Sequence, residues 1–140
     1  DLVISDLLGH VGVEGQVKVA DAPVLEGGPI DIDRGFVLHS SDWFRDDQTM
    51  KVSDGLGLST TKDALEALVG DNAPDKAMLS IGYAGWGPGQ LETEIADNAW
   101  LVAGGDDAIV FDTNMDAKWS QALSRIGVSP EQLSAIGGRA

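Results

Sequence analysis

AMLSIGYAGWGPGQLETEIA, residues 77–96, is the stretch on which the fold turns. Ala77–Tyr83 is an apolar run of strand length, suited to a buried strand. It runs into Gly85-Trp86-Gly87-Pro88-Gly89, where glycine permits positive φ and proline lacks a backbone donor. A proline is harmless at a helix start and costly inside one, so Pro88 is expected in the first helical turn. Leu91 and Ile95 lie four apart and share a face, and Glu92 and Glu94 favour the positive end of the helix dipole. The stretch therefore predicts a buried strand, a tight turn and a helix from about Gly89 to Ala96. Trp86 is expected to pack against the domain. Glycine N–H groups ahead of a helix could also receive an anion. Yet the segment has no lysine to meet a phosphate, and it matches neither the P-loop nor the dinucleotide fingerprint.

Upstream, Ser5–Val11 reads as a short helix, and Val17–Val19 and Ala22–Leu25 as brief extended runs. Gly27-Gly28-Pro29 predicts a turn, followed by the polar stretch Asp31–Asp33. Gly35–His39, GFVLH, predicts a central strand. Gln48–Val52 and Leu56–Ser59 predict a hairpin through Asp54-Gly55, a favoured turn dipeptide. Thr61–Val69 predicts a helix with Leu65, Leu68 and Val69 on one stripe, and Thr60 and Asp63 at capping-box spacing. Downstream, Ala99–Val102 and Ala108–Phe111 read as strands about a Gly104–Asp107 turn. Asp116–Ile126 predicts the last long helix, with Trp119 in the core beside Leu123 and Ile126. Ser129-Pro130 restarts a short helix. Strands separated mostly by turns predict an α+β fold with a mixed or largely antiparallel sheet and three to four short helices packed on it. The 140 residues suit a single domain, 1–140.

Nine Lys and Arg face 23 Asp and Glu, a formal net charge of -14. Affinity for a nucleic-acid backbone comes mostly from Lys and Arg neutralising phosphates, so no direct DNA binding is expected. The same charge disfavours anionic membrane surfaces, and no apolar run approaches the roughly 18 residues of a membrane helix. There is no cysteine, hence no disulfide, thiolate nucleophile or cysteine-held metal. With two histidines, a three-histidine zinc site is out of reach, and no metal or cofactor is expected. The Asp31 and Asp33 pair lacks the later ligands of a calcium loop. Arg34, next to it, is expected to pair with an acid. His39 is the best candidate base, because its ordinary pKa lies near neutrality. A hydrogen-bonding, structural role competes with that reading. No Gly-x-Ser-x-Gly elbow occurs.

Gly27-Gly28-Pro29, Asp33–His39 and Gly82–Glu92 come in a fixed order, followed by Glu94-Ile95 and Asp97–Leu101. As a set they closely resemble the YqgE/AlgH family of small bacterial proteins, over essentially the whole chain. The resemblance implies a compact α+β fold and a cytoplasmic protein. It also implies a chain that lacks an additional N-terminal strand-forming segment, which family members carry ahead of the region matching Asp1. The tail Gly138-Arg139-Ala140 looks like the family's natural C-terminus. Members are mostly uncharacterised, with one branch linked to transcriptional regulation of alginate production. No catalytic set is established for the family, so the shared motifs mark only a candidate surface: Gly28, Arg34, His39, Trp86, Gln90 and Glu94. The expected function is that of a regulator acting through a protein or small-molecule partner. The alternative is a small hydrolytic or ligand-converting enzyme using His39 and an acidic partner such as Glu94.

Overall fold

The computed structural model describes residues 1–137. The tail Gly138-Arg139-Ala140 lies outside the described residues. The chain divides into two compact units, one ending at Gly85 and the other beginning at Trp86.

The first unit is built on a five-stranded sheet. Its strands are β1 (Leu25–Glu26), β2 (Ile30–Ser40), β3 (Thr49–Ser53), β4 (Leu56–Ser59) and β5 (Ala77–Tyr83). They lie in the order β1-β5-β2-β4-β3. The β1–β5 pair is parallel, and the other pairings are antiparallel, so the sheet is mixed. The expected central strand is central, with β5 on one side of β2 and β4 on the other. The hairpin through Asp54-Gly55 forms as the dipeptide predicts. Along β2 the alternation puts Val37 and His39 on one face, and both are buried. Their partners across the sheet, Leu79, Ala77 and Ser59, are buried too. Helices α1 (Ile4–His10) and α2 (Lys62–Ala67) supply Ile4, Leu8 and Ala64 to the core, and Leu68 follows at the end of α2. Each fully buried leucine of this set contributes about 1.5–3 kcal/mol relative to an exposed one.

Three upstream expectations change. Val17–Val19 is not a strand; the Lys18 N–H instead bonds the Leu68 carbonyl at 2.8 Å, satisfying the end of α2. The polar stretch Asp31–Asp33 belongs to β2, which starts at Ile30 and passes through a register shift before Gly35. Asp31, at φ 44°, breaks the alternation that would put the two acids on one face. Arg34 stacks over the Phe36 ring at 5.5 Å and forms no ion pair among the described residues.

The second unit is helical: α3 (Gln90–Ala96), α4 (Asp107–Val110), α5 (Met115–Arg125) and α6 (Pro130–Gly137). The described residues thus hold six helices where three to four were expected. One of the six, α4, stands where a strand was read. Ala108–Phe111 is β-branched enough to suggest a strand, but Asp106 caps it as α4, its carboxylate accepting from the Ile109 N–H at 3.1 Å. Ala99–Val102 pairs with no strand. Pro88 precedes α3 rather than entering its first turn. The Gln90 N–H bonds the Gly87 carbonyl at 3.0 Å, and Gly89 sits at φ 76°, ψ -5°. Proline then glycine with those angles is a type II turn, in which the glycine position needs positive φ. Leu91 and Ile95 are half-buried, and no residue of α3 is fully buried.

In the first unit, Gly27 and Gly28 run against the end of β5. A Cβ on Gly28 would stand 2.3 Å from the Tyr83 carbonyl carbon, and its φ of +152° disfavours a side chain independently. Gly104 has nothing within 4 Å of such a Cβ. Gly28→Ala is expected to cost about 1–3 kcal/mol, the range for overpacking. Thermal melts should show it as a fall of several degrees, with Gly104→Ala unchanged. Equal melting of both variants would contradict this packing.

Candidate functional site

Of the six candidate residues, three lie in the sheet unit and do not gather. Gly28 lies ahead of β2, with its backbone against Tyr83. Arg34, Phe36 and Tyr83 form a stack on one face: the guanidinium lies over Phe36, whose ring meets Tyr83 edge-on at 5.8 Å. A groove of about 610 Å³ lies nearby, lined by Glu26, Gly28, Pro29, Ile32 and Ile81. His39 is five residues farther along β2, roughly 16 Å at 3.3 Å per residue, and on the opposite face from Arg34 by strand parity.

His39 is fully enclosed, at 0% exposure. Its Nδ1 lies 3.0 Å from the Ser40 carbonyl, which can only accept, so Nδ1 carries the proton. Its Nε2 then accepts from the Ser59 hydroxyl at 2.8 Å. The Ser59 oxygen accepts in turn from Thr49 Oγ1 at 2.8 Å, and Thr49 accepts from the Arg45 N–H at 3.1 Å. Five groups in three strands and a loop thereby satisfy one another in a single direction. Trp43 closes the ring edge-on at 5.3 Å. A Cβ on Gly57 would fall 2.9 Å from His39 Cε1 and 2.8 Å from Thr49 Cγ2, so that position has room only for glycine. Among the described residues no carboxylate hydrogen-bonds the imidazole, although Asp42 interacts with it electrostatically. Asp42 is held by the Ser40 hydroxyl at 2.5 Å and the Asp75 N–H at 2.8 Å. Partial burial pushes its carboxyl up, but these bonds outweigh it and the net shift is downward.

The other three candidates converge in the helical unit. Glu94 Oε2 accepts from the Trp86 indole at 3.0 Å and from the Trp100 indole at 2.7 Å. Glu94 Oε1 accepts from Gln90 Nε2 at 3.1 Å, while Gln90 Oε1 takes the Gly87 N–H at 3.0 Å. Gln90 and Glu94 meet because they are four apart on α3. Trp86 reaches them because the turn at Pro88-Gly89 folds it back. Trp100 reaches them because α3 ends in a Schellman motif. Asn98, at φ 62°, takes the left-handed position; its N–H bonds the Ile95 carbonyl, and the Ala99 N–H bonds the Glu94 carbonyl at 2.9 Å. The indoles meet edge-to-face at 5.8 Å. Trp86 is therefore not packed into a core: it is 38% exposed, and Trp100 is 49% exposed. The Trp100 indole, followed by the Trp86 indole and the Gln90 amide, holds the Glu94 carboxyl below the usual carboxylate range.

Trp100 belongs to this clamp although the candidate surface omits it. Its place in the motif Asp97–Leu101 was visible, but the reversal that aims it at Glu94 depends on a left-handed asparagine. Trp119, expected in the core, is 58% exposed. Helix α5 buries only Leu123. Trp119 instead lines a second groove of about 460 Å³ with Trp100, Leu101, Leu123, Ile126 and Leu133. Among the described residues no three His, Asp or Glu side chains gather to hold a metal, and no helix is long and apolar enough to cross a membrane.

The profile of the AlgH-like family, DUF179, matches residues 1–131. A UPF0301 protein of Caulobacter vibrioides (strain NA1000 / CB15N) is 44% identical over 140 residues, spanning 99% of this chain and 72% of that protein. UPF0301 protein SPO0296 of Ruegeria pomeroyi is 48% identical over 141 residues, spanning all of this chain and 77% of the relative. The solution structure of the AlgH protein from Pseudomonas aeruginosa is similar with a TM-score of 0.71 at 36% identity, covering 96% of this chain and 71% of that one. The chain belongs to the AlgH-like (UPF0301) family of conserved bacterial proteins.

A carboxyl held low contributes stability above its unfolded pKa and loses it as pH falls through the folded one. The clamp is therefore intact near neutrality and opens in acid. Tryptophan emission should show a step on acidification with its midpoint below that of an ordinary glutamate. Glu94→Gln should remove that step. A step that survives in Glu94→Gln would belong to other groups and contradict the assignment.

Proposed function

We propose that this AlgH-like chain is a non-catalytic binding protein of regulatory type, which recognises a protein partner through the surface around Glu94, Trp86 and Trp100. The observation that carries the proposal is the contrast between the two candidate clusters. His39 is enclosed, with both ring nitrogens bonded to groups that do not ionise near neutrality. The Glu94 clamp holds two exposed indoles in fixed orientation. Exposed indoles normally lose side-chain freedom when a partner docks; here hydrogen bonds order them beforehand, which lowers that cost. Tryptophan is also among the residues most enriched where truncation weakens binding most. The net charge of -14 turns the surface away from nucleic-acid phosphates, so a regulatory role runs through protein contact.

The hydrolytic alternative rests on the 2.8 Å contact between His39 and Ser59. That pair resembles a base and a nucleophile in reach of each other. Both residues have 0% exposure, and a substrate would have to open the sheet to touch them.

Capture from an extract of the source bacterium with the immobilised chain separates the two readings. A protein retained by the wild type and by Ser59→Ala, but reduced roughly tenfold by Trp100→Ala, is the expected result; tenfold corresponds to about 1.4 kcal/mol. Retention unchanged by Trp100→Ala, with esterase or amidase turnover lost in Ser59→Ala, would replace this reading with the enzymatic one.

A further inference from the structure

The groove beside the clamp has a composition that selects its occupant. Trp100, Leu101, Trp119, Leu123, Ile126 and Leu133 line it, and its volume of about 460 Å³ falls inside the roughly 300–1,000 Å³ of ordinary ligand clefts. Leu101 and Val102 are 48% and 67% exposed, which extends the apolar surface past the groove. Contiguous exposed apolar surface of this kind marks interaction sites.

The helical unit that holds the groove carries an excess of acid. Residues 86–137 carry eight Asp and Glu but only Lys118 and Arg125 as cations. Both cations are occupied: Lys118 Nζ donates to the Val110 carbonyl, and Arg125 pairs with Asp106. Glu92, Asp97 and Asp116 are exposed and form no ion pair among the described residues. An anionic ligand would meet no available cation. An anionic membrane would be repelled, and a second copy would bring the same acids to the same face.

We infer that the groove of the helical unit takes a basic amphipathic segment of a protein partner. Its apolar side chains sit between Trp100 and Trp119, and its Lys or Arg side chains meet the exposed acids of the helical unit. The inference rests on the binding reading above and names the partner's chemistry. An amphipathic segment laid into an apolar groove is a recurrent mode of recognition. The apolar lining supplies affinity, while the acids hasten encounter and reject acidic segments.

The test uses the full chain and three synthetic peptides at about 150 mM salt. One is a Leu–Lys amphipathic peptide, one a Leu–Glu peptide of the same pattern, and one a Ser–Lys peptide of the same charge as the first. Calorimetric titration should show the Leu–Lys peptide binding at least roughly tenfold more tightly than the Ser–Lys peptide, with no binding of Leu–Glu. Trp119→Ser and Leu101→Ser should each weaken Leu–Lys binding by roughly tenfold. Met50→Ser, an exposed apolar position on β3, should leave it unchanged. Circular dichroism and melting confirm that each variant folds, and two groove variants keep the test open if one does not. Equal binding of Ser–Lys and Leu–Lys would mean charge alone, and would overturn the inference. So would equal binding of Leu–Glu, or groove variants that bind like the wild type. Sedimentation that shows a wild-type dimer and a monomeric Trp119→Ser would assign the face to a second copy and overturn it as well. The binding reading stands or falls separately, on whether capture from extract depends on Trp100.

Discussion

The first unit depends on one buried hydrogen-bond chain, running from the Arg45 N–H through Thr49, Ser59 and His39 to the Ser40 carbonyl. It crosses β3, β4 and β2 in sequence, on the face that carries Val37 and Leu79. Each polar group would cost about 1–3 kcal/mol if buried without a partner. Together they are satisfied only when the three strands sit in their observed register, because a slip of one residue would turn every side chain to the other face. Gly57 belongs to the same constraint, since any Cβ there would collide with His39 and Thr49. The chain also decides what His39 is. A histidine whose two nitrogens are already committed is a tie between strands.

That constraint separates folding from function along the sequence. The enclosed polar groups stabilise the sheet and present nothing to solvent. The exposed, ordered groups are in the helical unit, where turn chemistry brings Trp86, Gln90, Glu94 and Trp100 to one carboxylate. The clamp is local: Pro88-Gly89 on one side of α3 and Asn98 on the other supply both reversals. The residues near it expose apolar area that a core-forming helix would bury.

The sheet was legible because its signals are local and redundant. GFVLH, AMLSIGY and the Asp54-Gly55 hairpin each carry strand length, apolar content and turn punctuation, and each formed as read. The helical unit was less legible. Ala99–Val102 and Ala108–Phe111 have strand-like composition, but capping by Asp106 and the lack of a pairing partner override it. Trp119 has helical spacing with Leu123 and Ile126, yet spacing does not say how much of the stripe the rest of the chain covers. Of the clamp residues, Trp86, Gln90 and Glu94 were marked by the family resemblance, whereas the aim of Trp100 requires a left-handed asparagine that no period reveals. His39 was visible as a strand-end histidine; Ser59 lies 20 residues from it and Thr49 10 residues from Ser59, in pairings that only the sheet register creates.

The direction of the buried chain is the most direct test of this account. Long-range proton–nitrogen correlation spectra of the His39 imidazole, taken near neutral pH, distinguish the two neutral tautomers. A protonated Nδ1 and a bare Nε2 are expected, with the Nδ1 proton protected from exchange with solvent. A proton on Nε2, or ring protons that exchange as freely as those of an exposed imidazole, would contradict it and return His39 to the set of residues able to act on a ligand.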